Sequence, residues 1–137
     1  MQSLLIAMCL FLPAPPHAHA RNFPVYFTSY NPEKEQCDSD PCVGAGLVDL
    51  CQRAREGGRT IALSQDLVGR APWKPFHYHD VVRLTSDVPQ CNGEFMVEDT
   101  MNARYNNRGD IFFMDRKDNV GCTATIEKVP PNSSKSE

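Results

Sequence analysis

The chain has 137 residues and a formal net charge of −3, and its length suits a single domain. The charge is small and negative, which excludes an electrostatic role in binding nucleic acid or an anionic membrane surface. Six cysteines in so short a chain indicate a disulfide framework if the protein reaches an oxidising compartment.

The first 20 residues are predicted to be a secretion signal. They contain no Lys, Arg, Asp or Glu, hold an apolar stretch from Leu4 to Leu12, and end in Ala18-His19-Ala20, a small-x-small pattern that signal peptidase accepts. The apolar stretch is too short to span a bilayer. We therefore expect a secreted or periplasmic protein with no stable membrane insertion.

The remaining chain divides into a domain and a tail. Residues 21–129 carry the alternating apolar pattern of a folded domain, whereas residues 130–137 are polar and rich in Pro and Ser. Such a composition does not bury enough apolar surface to fold, so the tail is predicted to be disordered.

Five cysteines remain after removal of the signal: Cys37, Cys42, Cys51, Cys91 and Cys122. An odd number indicates two disulfides and one free or intermolecular thiol, and the sequence does not choose among the pairings. A zinc site that adds His77 and His79 is the alternative, but the cysteine spacing does not match the common zinc fingers. We expect no metal and no cofactor, and we expect both histidine side chains to be solvent-exposed rather than part of a second acid/base pair.

The hydrophobic pattern is mostly that of strands. Segments rich in β-branched and aromatic residues predict strands at 23–30, 60–64, 81–86, 94–99, 109–114 and 122–129. One helix is predicted over 46–56, where apolar residues recur at helical intervals before Gly57-Gly58. Six short strands and one short helix predict an all-β fold, either a compact barrel or a sandwich.

Two acidic residues lie at the margins of adjacent predicted strands. Asp99 ends one strand, and Asp110 begins the next, with Ile111 and Phe112 after it. Burial among apolar residues and a second nearby carboxylate both raise the pKa of a carboxyl group, which can then act as a general acid near neutral pH. Both aspartates are therefore candidate catalytic residues. The structural alternative is that they only accept N–H bonds from a tight loop.

The segment "VEDTMNARYNNRGDIFF", residues 97–113, resembles the signature of the three-aspartate (3D) domain family. In that signature two aspartates stand eleven residues apart, and the second heads an Asp-Ile-aromatic-Phe strand. The segment is similar to the small secreted members whose loop reads Asp-x-Met-Asn-x-Arg-Tyr-x-Asn-Arg. The resemblance implies a six-stranded double-psi β-barrel, like the catalytic domain of membrane-bound lytic transglycosylase A.

The resemblance also implies roles for particular residues. By position, Asp110 corresponds to the general acid/base and Asp99 to its partner. The predicted substrate-binding residues are Arg104, Tyr105, Asn102 and Asp40, the last in a stretch similar to the family's substrate-side loop. The family's first aspartate would come near Ser64, and Gly109 stands where the family often has Val.

The function implied by the resemblance is cleavage of the β-1,4 bond between N-acetylmuramic acid and N-acetylglucosamine in peptidoglycan. Glycan strands would be the partner, and the protein is expected to be a monomer. Two other classes stay open: a peptidoglycan-binding module without catalysis, and a disulfide-stabilised secreted interaction protein. The absence of an aspartate near Ser64, where the family has its first one, favours the binding module. The retained spacing of Asp99 and Asp110 favours the enzyme.

Overall fold

A computed structural model describes residues 22–32, 42–115 and 117–131. The predicted signal, residues 1–20, and residues 132–137 of the predicted tail lie outside this part of the chain. Within it, six strands close into a β-barrel. The elements are β1 (Phe23–Tyr30), α1 (Leu50–Arg55), β2 (Thr60–Leu63), β3 (Val81–Thr85), a 3-10 turn (Pro89–Cys91), β4 (Gly93–Thr100), β5 (Arg108–Phe112) and β6 (Cys122–Lys128). The predicted all-β class with one short helix, and the predicted barrel, are confirmed.

The order of strands around the barrel is β1-β5-β2-β4-β3-β6. The pairs β1/β5 and β2/β4 are parallel, and the other four pairs are antiparallel. Parallel neighbours need a crossover connection rather than a hairpin, so the chain passes around the barrel between them. The double-psi arrangement of these connections stays a prediction.

The barrel interior is an apolar core. Its largest fully buried aromatic side chains are Phe27 and Phe95, and every residue of β2 is buried. Both faces of β2 are covered because the barrel core lies on one side and α1 contacts the strand from the other. A second apolar cluster, formed by Leu50, Cys51 and Phe112, holds α1 on the outside of the barrel.

The helix is shorter than the predicted 46–56. It begins at Leu50 because the Asp49 carboxylate caps it by accepting the N–H of Gln52 at 2.9 Å. Leu47 has a positive φ of 63°, which is not helical, while Gly57 at φ 84° ends the helix as predicted. No helix among the described residues combines the length and the apolar character needed to cross a membrane.

Two disulfides occur in the described part of the chain. Cys42–Cys51 joins the segment before α1 to the helix itself, and Cys91–Cys122 joins the 3-10 turn to the first residue of β6. The predicted use of cysteines in disulfides is thus confirmed, while Cys37 lies outside the described residues. Each bridge should stabilise the fold by about 2 to 5 kcal/mol through its constraint on the unfolded chain.

Thiol titration should count the cysteines that are not bridged. We expect the unfolded mature protein, without the first 20 residues, to show one reactive thiol per chain before reduction, because four of its five cysteines are paired. Full reduction should raise the count to five. A count of five before reduction would contradict both disulfides.

Candidate functional site

The two predicted catalytic aspartates lie on one rung of the barrel. Ala62 of β2 pairs with Asp99 of β4 on one side and with Asp110 of β5 on the other. Paired residues in neighbouring strands project to the same face, and successive residues alternate. Ile61 and Leu63 point into the core, so both carboxylates project from the outer face, separated by one strand.

A β-bulge in β4 brings Asp99 to this face. The register places Val97 opposite Ile61 but Asp99 opposite Ala62, so Glu98 is an extra residue in β4. Without it, Asp99 would share the inward face of Val97 and its carboxylate would point into the apolar core. The bulge is therefore what puts the two carboxylates on a common surface.

The environment of Asp110 favours its protonated form. Burial raises the pKa of this carboxyl, a hydrogen bond donated by the Thr28 hydroxyl and the charge of Arg108 lower it, and the charge of Asp99 raises it, with a net upward shift. No ion pair joins Arg104 or Arg108 to Asp110 within the residues that the structure describes. Asp110 can thus hold a proton at a higher pH than a solvated aspartate.

Asp99 has a different environment. Its Oδ1 accepts the N–H groups of Ala45 and Thr100, both at 2.9 Å, and its Oδ2 accepts the Tyr30 hydroxyl at 3.2 Å. These donors hold the carboxylate in one place and fasten the segment around Ala45 to the bulged strand. Asp99 is therefore a fixed acceptor group one strand away from the Asp110 carboxyl, whose pKa is raised by burial.

The loop between the two aspartates is fixed at both ends. The N–H of Met101 donates to the carbonyl of Leu63 at 2.9 Å. At the other end the N–H of Asn107 donates to both oxygens of Asp66, at 3.0 and 3.2 Å. Asn102, a predicted substrate-binding residue, shapes the turn between these ends, since its Oδ1 accepts a backbone N–H two residues later at 3.1 Å.

Arginine and tyrosine side chains form a surface beside Asp110, which we call the Tyr-Arg ridge and define as Tyr26, Arg104, Tyr105 and Arg108. The Arg108 guanidinium carbon lies 4.7 Å from the ring centroid of Tyr26 and 5.5 Å from that of Tyr105. Arg104 donates to the Tyr105 hydroxyl at 2.7 Å. Arg108 and Asp110 share one face of β5 because they are two residues apart, so the ridge adjoins the acid.

Ser64, near which the resemblance would place the family's first aspartate, has a structural role. Ser64 is completely buried, its hydroxyl accepts the N–H of Arg108 at 3.0 Å, and its own N–H donates to the Arg108 carbonyl at 2.8 Å. Asp66, two residues further, holds the backbone of Asn107. Both residues therefore fix the start of β5. Asp40, the remaining predicted substrate-binding residue, lies outside the described residues.

Glu98 is a further acidic residue, and the sequence gives no reason to single it out. Its side chain is completely buried, and its two oxygens lie 3.1 and 3.0 Å from Nδ1 of His79. His79 has a positive φ of 75°, and its side chain is 59% exposed. The predicted exposure of His79 is confirmed, but its ring also supplies the counter-charge that a buried carboxylate needs when the imidazole is protonated.

Cys42, Asp49 and Cys51 bring three potential metal-ligand atoms within 4.8 Å of one another. The two cysteines form a disulfide, and only a thiolate sulfur binds zinc well. This group therefore does not suit a zinc ion.

No protein-family model and no curated protein matches this sequence. The resemblance of residues 97–113 to the 3D family therefore rests on the sequence motif alone.

Proposed function

We propose that the chain is a secreted protein that acts on peptidoglycan glycan as a lytic transglycosylase. One observation carries the proposal: Asp110, whose pKa is raised mainly by burial, shares an outer-face rung with the hydrogen-bonded carboxylate of Asp99. Two carboxyl groups with such different environments can divide into a proton donor and a charged partner. The signal-like first 20 residues and the two disulfides support export to an oxidising compartment.

The proposed reaction uses one carboxyl group twice. Asp110 donates its proton to the glycosidic oxygen, the bond from the anomeric carbon to that oxygen breaks, and N-acetylglucosamine leaves with a free 4-hydroxyl. The 6-hydroxyl of the muramic sugar then attacks the anomeric carbon, and the Asp110 carboxylate takes the proton of that hydroxyl. Asp99 stabilises the positive charge that develops on the sugar ring. The product carries a 1,6-anhydro end and the acid is regenerated.

A peptidoglycan-binding module without catalysis is the second candidate. Asp99 accepts three hydrogen bonds that fix a loop, and Ser64 replaces a carboxylate with a buried hydroxyl. Both observations fit a groove that can bind glycan but does not catalyse its cleavage. A disulfide-stabilised interaction protein, the third class, predicts no affinity for glycan at all.

Mass spectrometry of muropeptides after incubation with purified sacculi tests the proposal. Anhydro-ended products are expected for a lytic transglycosylase, whereas reducing ends would indicate a hydrolase. Intact sacculi that retain bound protein would indicate the binding module. Intact sacculi without bound protein would contradict every role on glycan.

The Tyr-Arg ridge should bind glycan rather than support the fold. We expect the double substitution Arg104→Ala and Tyr105→Ala to weaken binding to glycan strands at least about fivefold, which corresponds to about 1 kcal/mol, the scale of one lost aromatic contact. Because Arg104 is exposed and the contacts of the Tyr105 ring are with arginine side chains of the ridge, the melting temperature should move by only a few degrees. Pull-down with insoluble sacculi and thermal melts measure both.

A matched control is Arg55→Ala, which removes an exposed arginine from α1. It should change neither binding nor the melting temperature. If the ridge variant loses stability in proportion to its loss of binding, the ridge is structural and its proposed role is wrong.

A further inference from the structure

A cleft of about 310 Å³ adjoins the site of the two aspartates. It is lined by Gly46, Leu47, Gly69, Arg70, His77, Tyr78 and His79. Its volume is at the lower end of the range of roughly 300 to 1,000 Å³ typical of ligand pockets. The same backbone segment contacts Asp99 and lines the cleft. The N–H of Ala45 donates to the Asp99 carboxylate, and Gly46 and Leu47 are part of the cleft lining.

The walls of the cleft are fixed by the β-bulge. The N–H of Gly46 donates to the carbonyl of Glu98 at 2.9 Å. A Cβ at Gly46 would lie 3.0 Å from both that carbonyl oxygen and Oε2 of Glu98, so a side chain at this position would require Glu98 or the segment to shift. Glu98 in turn holds the Nδ1 side of His79. The other ring nitrogen, Nε2, is therefore the one that His79 can offer to a ligand.

The one permanently charged side chain of the cleft lining is that of Arg70. The lining contains one guanidinium and two imidazoles and no carboxylate. The guanidinium of Arg70 lies over the ring of Tyr78, 5.6 Å from the centroid, and it forms no ion pair with any residue that the structure describes. An exposed arginine without a counter-charge favours a ligand that carries a carboxylate or another planar anion.

Two carboxylates beside the cleft lining have partners of their own. Glu98 contacts His79. Asp80 lies 3.3 Å from Nζ of Lys128 and accepts the N–H of His77 at 2.8 Å. Neither carboxylate forms an ion pair with Arg70 among the residues that the structure describes.

We propose that this cleft binds a carboxylate of the stem peptides that branch from peptidoglycan glycan, an inference that rests on the proposed function. The stem peptides are attached to the muramic sugar, whose glycosidic bond Asp110 would cleave. The segment shared by the cleft and Asp99 places the two sites side by side. Arg70 binds the carboxylate through its paired N–H groups, and the preferred substrate is peptide-bearing glycan rather than bare glycan.

Binding of stem peptides released from sacculi by an amidase tests the cleft without any cleavage reaction. We expect Arg70→Gln to lower the affinity for these peptides at least about tenfold, the scale of a lost charge-assisted hydrogen bond. The control Arg55→Gln, in an exposed position on α1, should bind them as the wild type does. Equal affinity in the wild type and Arg70→Gln, or no binding by the wild type at millimolar peptide, would overturn the inference.

Cleavage of two glycans separates this inference from the proposed function. The wild type should cleave peptide-bearing glycan faster than bare glycan prepared with the same amidase, and the ratio of the two rates should fall toward one in Arg70→Gln. Equal rates in the wild type would overturn the cleft as a peptide site and leave the cleavage itself established. If neither glycan is cleaved, the proposed activity fails, and the peptide affinities alone decide whether the cleft binds carboxylates.

Discussion

We expect the Asp110→Asn protein to cleave glycan at least about a hundredfold more slowly than the wild type, the usual scale for loss of a general acid. The amide oxygen can still accept the hydrogen bond that the Thr28 hydroxyl donates, so the shape of the rung is kept and only the exchangeable proton is lost. Initial rates on sacculi from pH 4 to 8, with melting curves alongside, measure the effect. Asp87→Asn, at an exposed position, is the matched control and should keep full activity.

The same substitution should affect stability in a way that depends on pH. Burial raises the pKa of Asp110 in the folded protein, so the folded state binds this proton more tightly than the unfolded state. The free energy of unfolding of the wild type therefore falls as the pH rises from the ordinary aspartate range through the folded pKa. The asparagine of Asp110→Asn does not titrate, so the free energy of unfolding of the variant does not fall in this way. The free energy of unfolding of the variant minus that of the wild type, measured in urea, should therefore be higher at pH 7 than at pH 3. The opposite order would mark Asp110 as a structural carboxylate.

Asp99→Asn should act through Asp110. Removing the negative charge of Asp99 lowers the pKa of Asp110. The alkaline limb of the rate profile, where the acid loses its proton, should consequently move to lower pH, and turnover should fall less than in Asp110→Asn. Because burial is the larger cause of the raised pKa, the movement should be modest. An unchanged limb would show that the two carboxyl groups do not interact.

The largest loss of stability is expected for Gly109→Val. Gly109 lies in β5 opposite Phe27 of β1, and a Cβ at this position would come closer than 3.0 Å to carbons of the Phe27 ring. Phe27 is completely buried, so the ring has no free space into which it can move. We expect the free energy of unfolding in urea to fall by about 3 kcal/mol or more.

A second substitution tests whether Phe27 is the cause. Phe27→Leu alone should destabilise the protein, but in the Gly109→Val background it should restore part of the lost stability by freeing space. The two changes should therefore be strongly non-additive in a double-mutant cycle. This exchange of volume also explains why β5 has a glycine opposite Phe27. Strictly additive losses would contradict the explanation.

The strands were predictable because their signals are local. The stretch from Phe23 to Tyr30 alternates and stops at a proline-containing turn, and the structure gives β1 these same bounds. The start of the helix was not predictable in this way, because Leu47 fits a helical interval. In the folded protein Leu47 is 78% exposed with a left-handed backbone, and the cap at Asp49 decides where α1 begins.

The candidate site was only partly predictable. The motif identifies Asp99 and Asp110, but strand alternation assigns Asp99 to the inward face of Val97. The outward position depends on Glu98 as an extra residue in β4. The side chain of Glu98 contacts His79, which lies 19 residues away in the sequence. Contacts between residues far apart in the sequence do not appear in its hydrophobic periodicity and could not be predicted from it. The disulfide pairings could not be predicted for the same reason.

Carbon-13 NMR titration of the Asp110 carboxyl tests the central claim most directly, since it needs no substrate and no assumption about the glycan. If Asp110 is the proton donor, its pKa should lie above the ordinary aspartate value of about 3.9 and should fall in Asp99→Asn. A pKa at or below the ordinary value in the wild type would contradict the proposed role of Asp110.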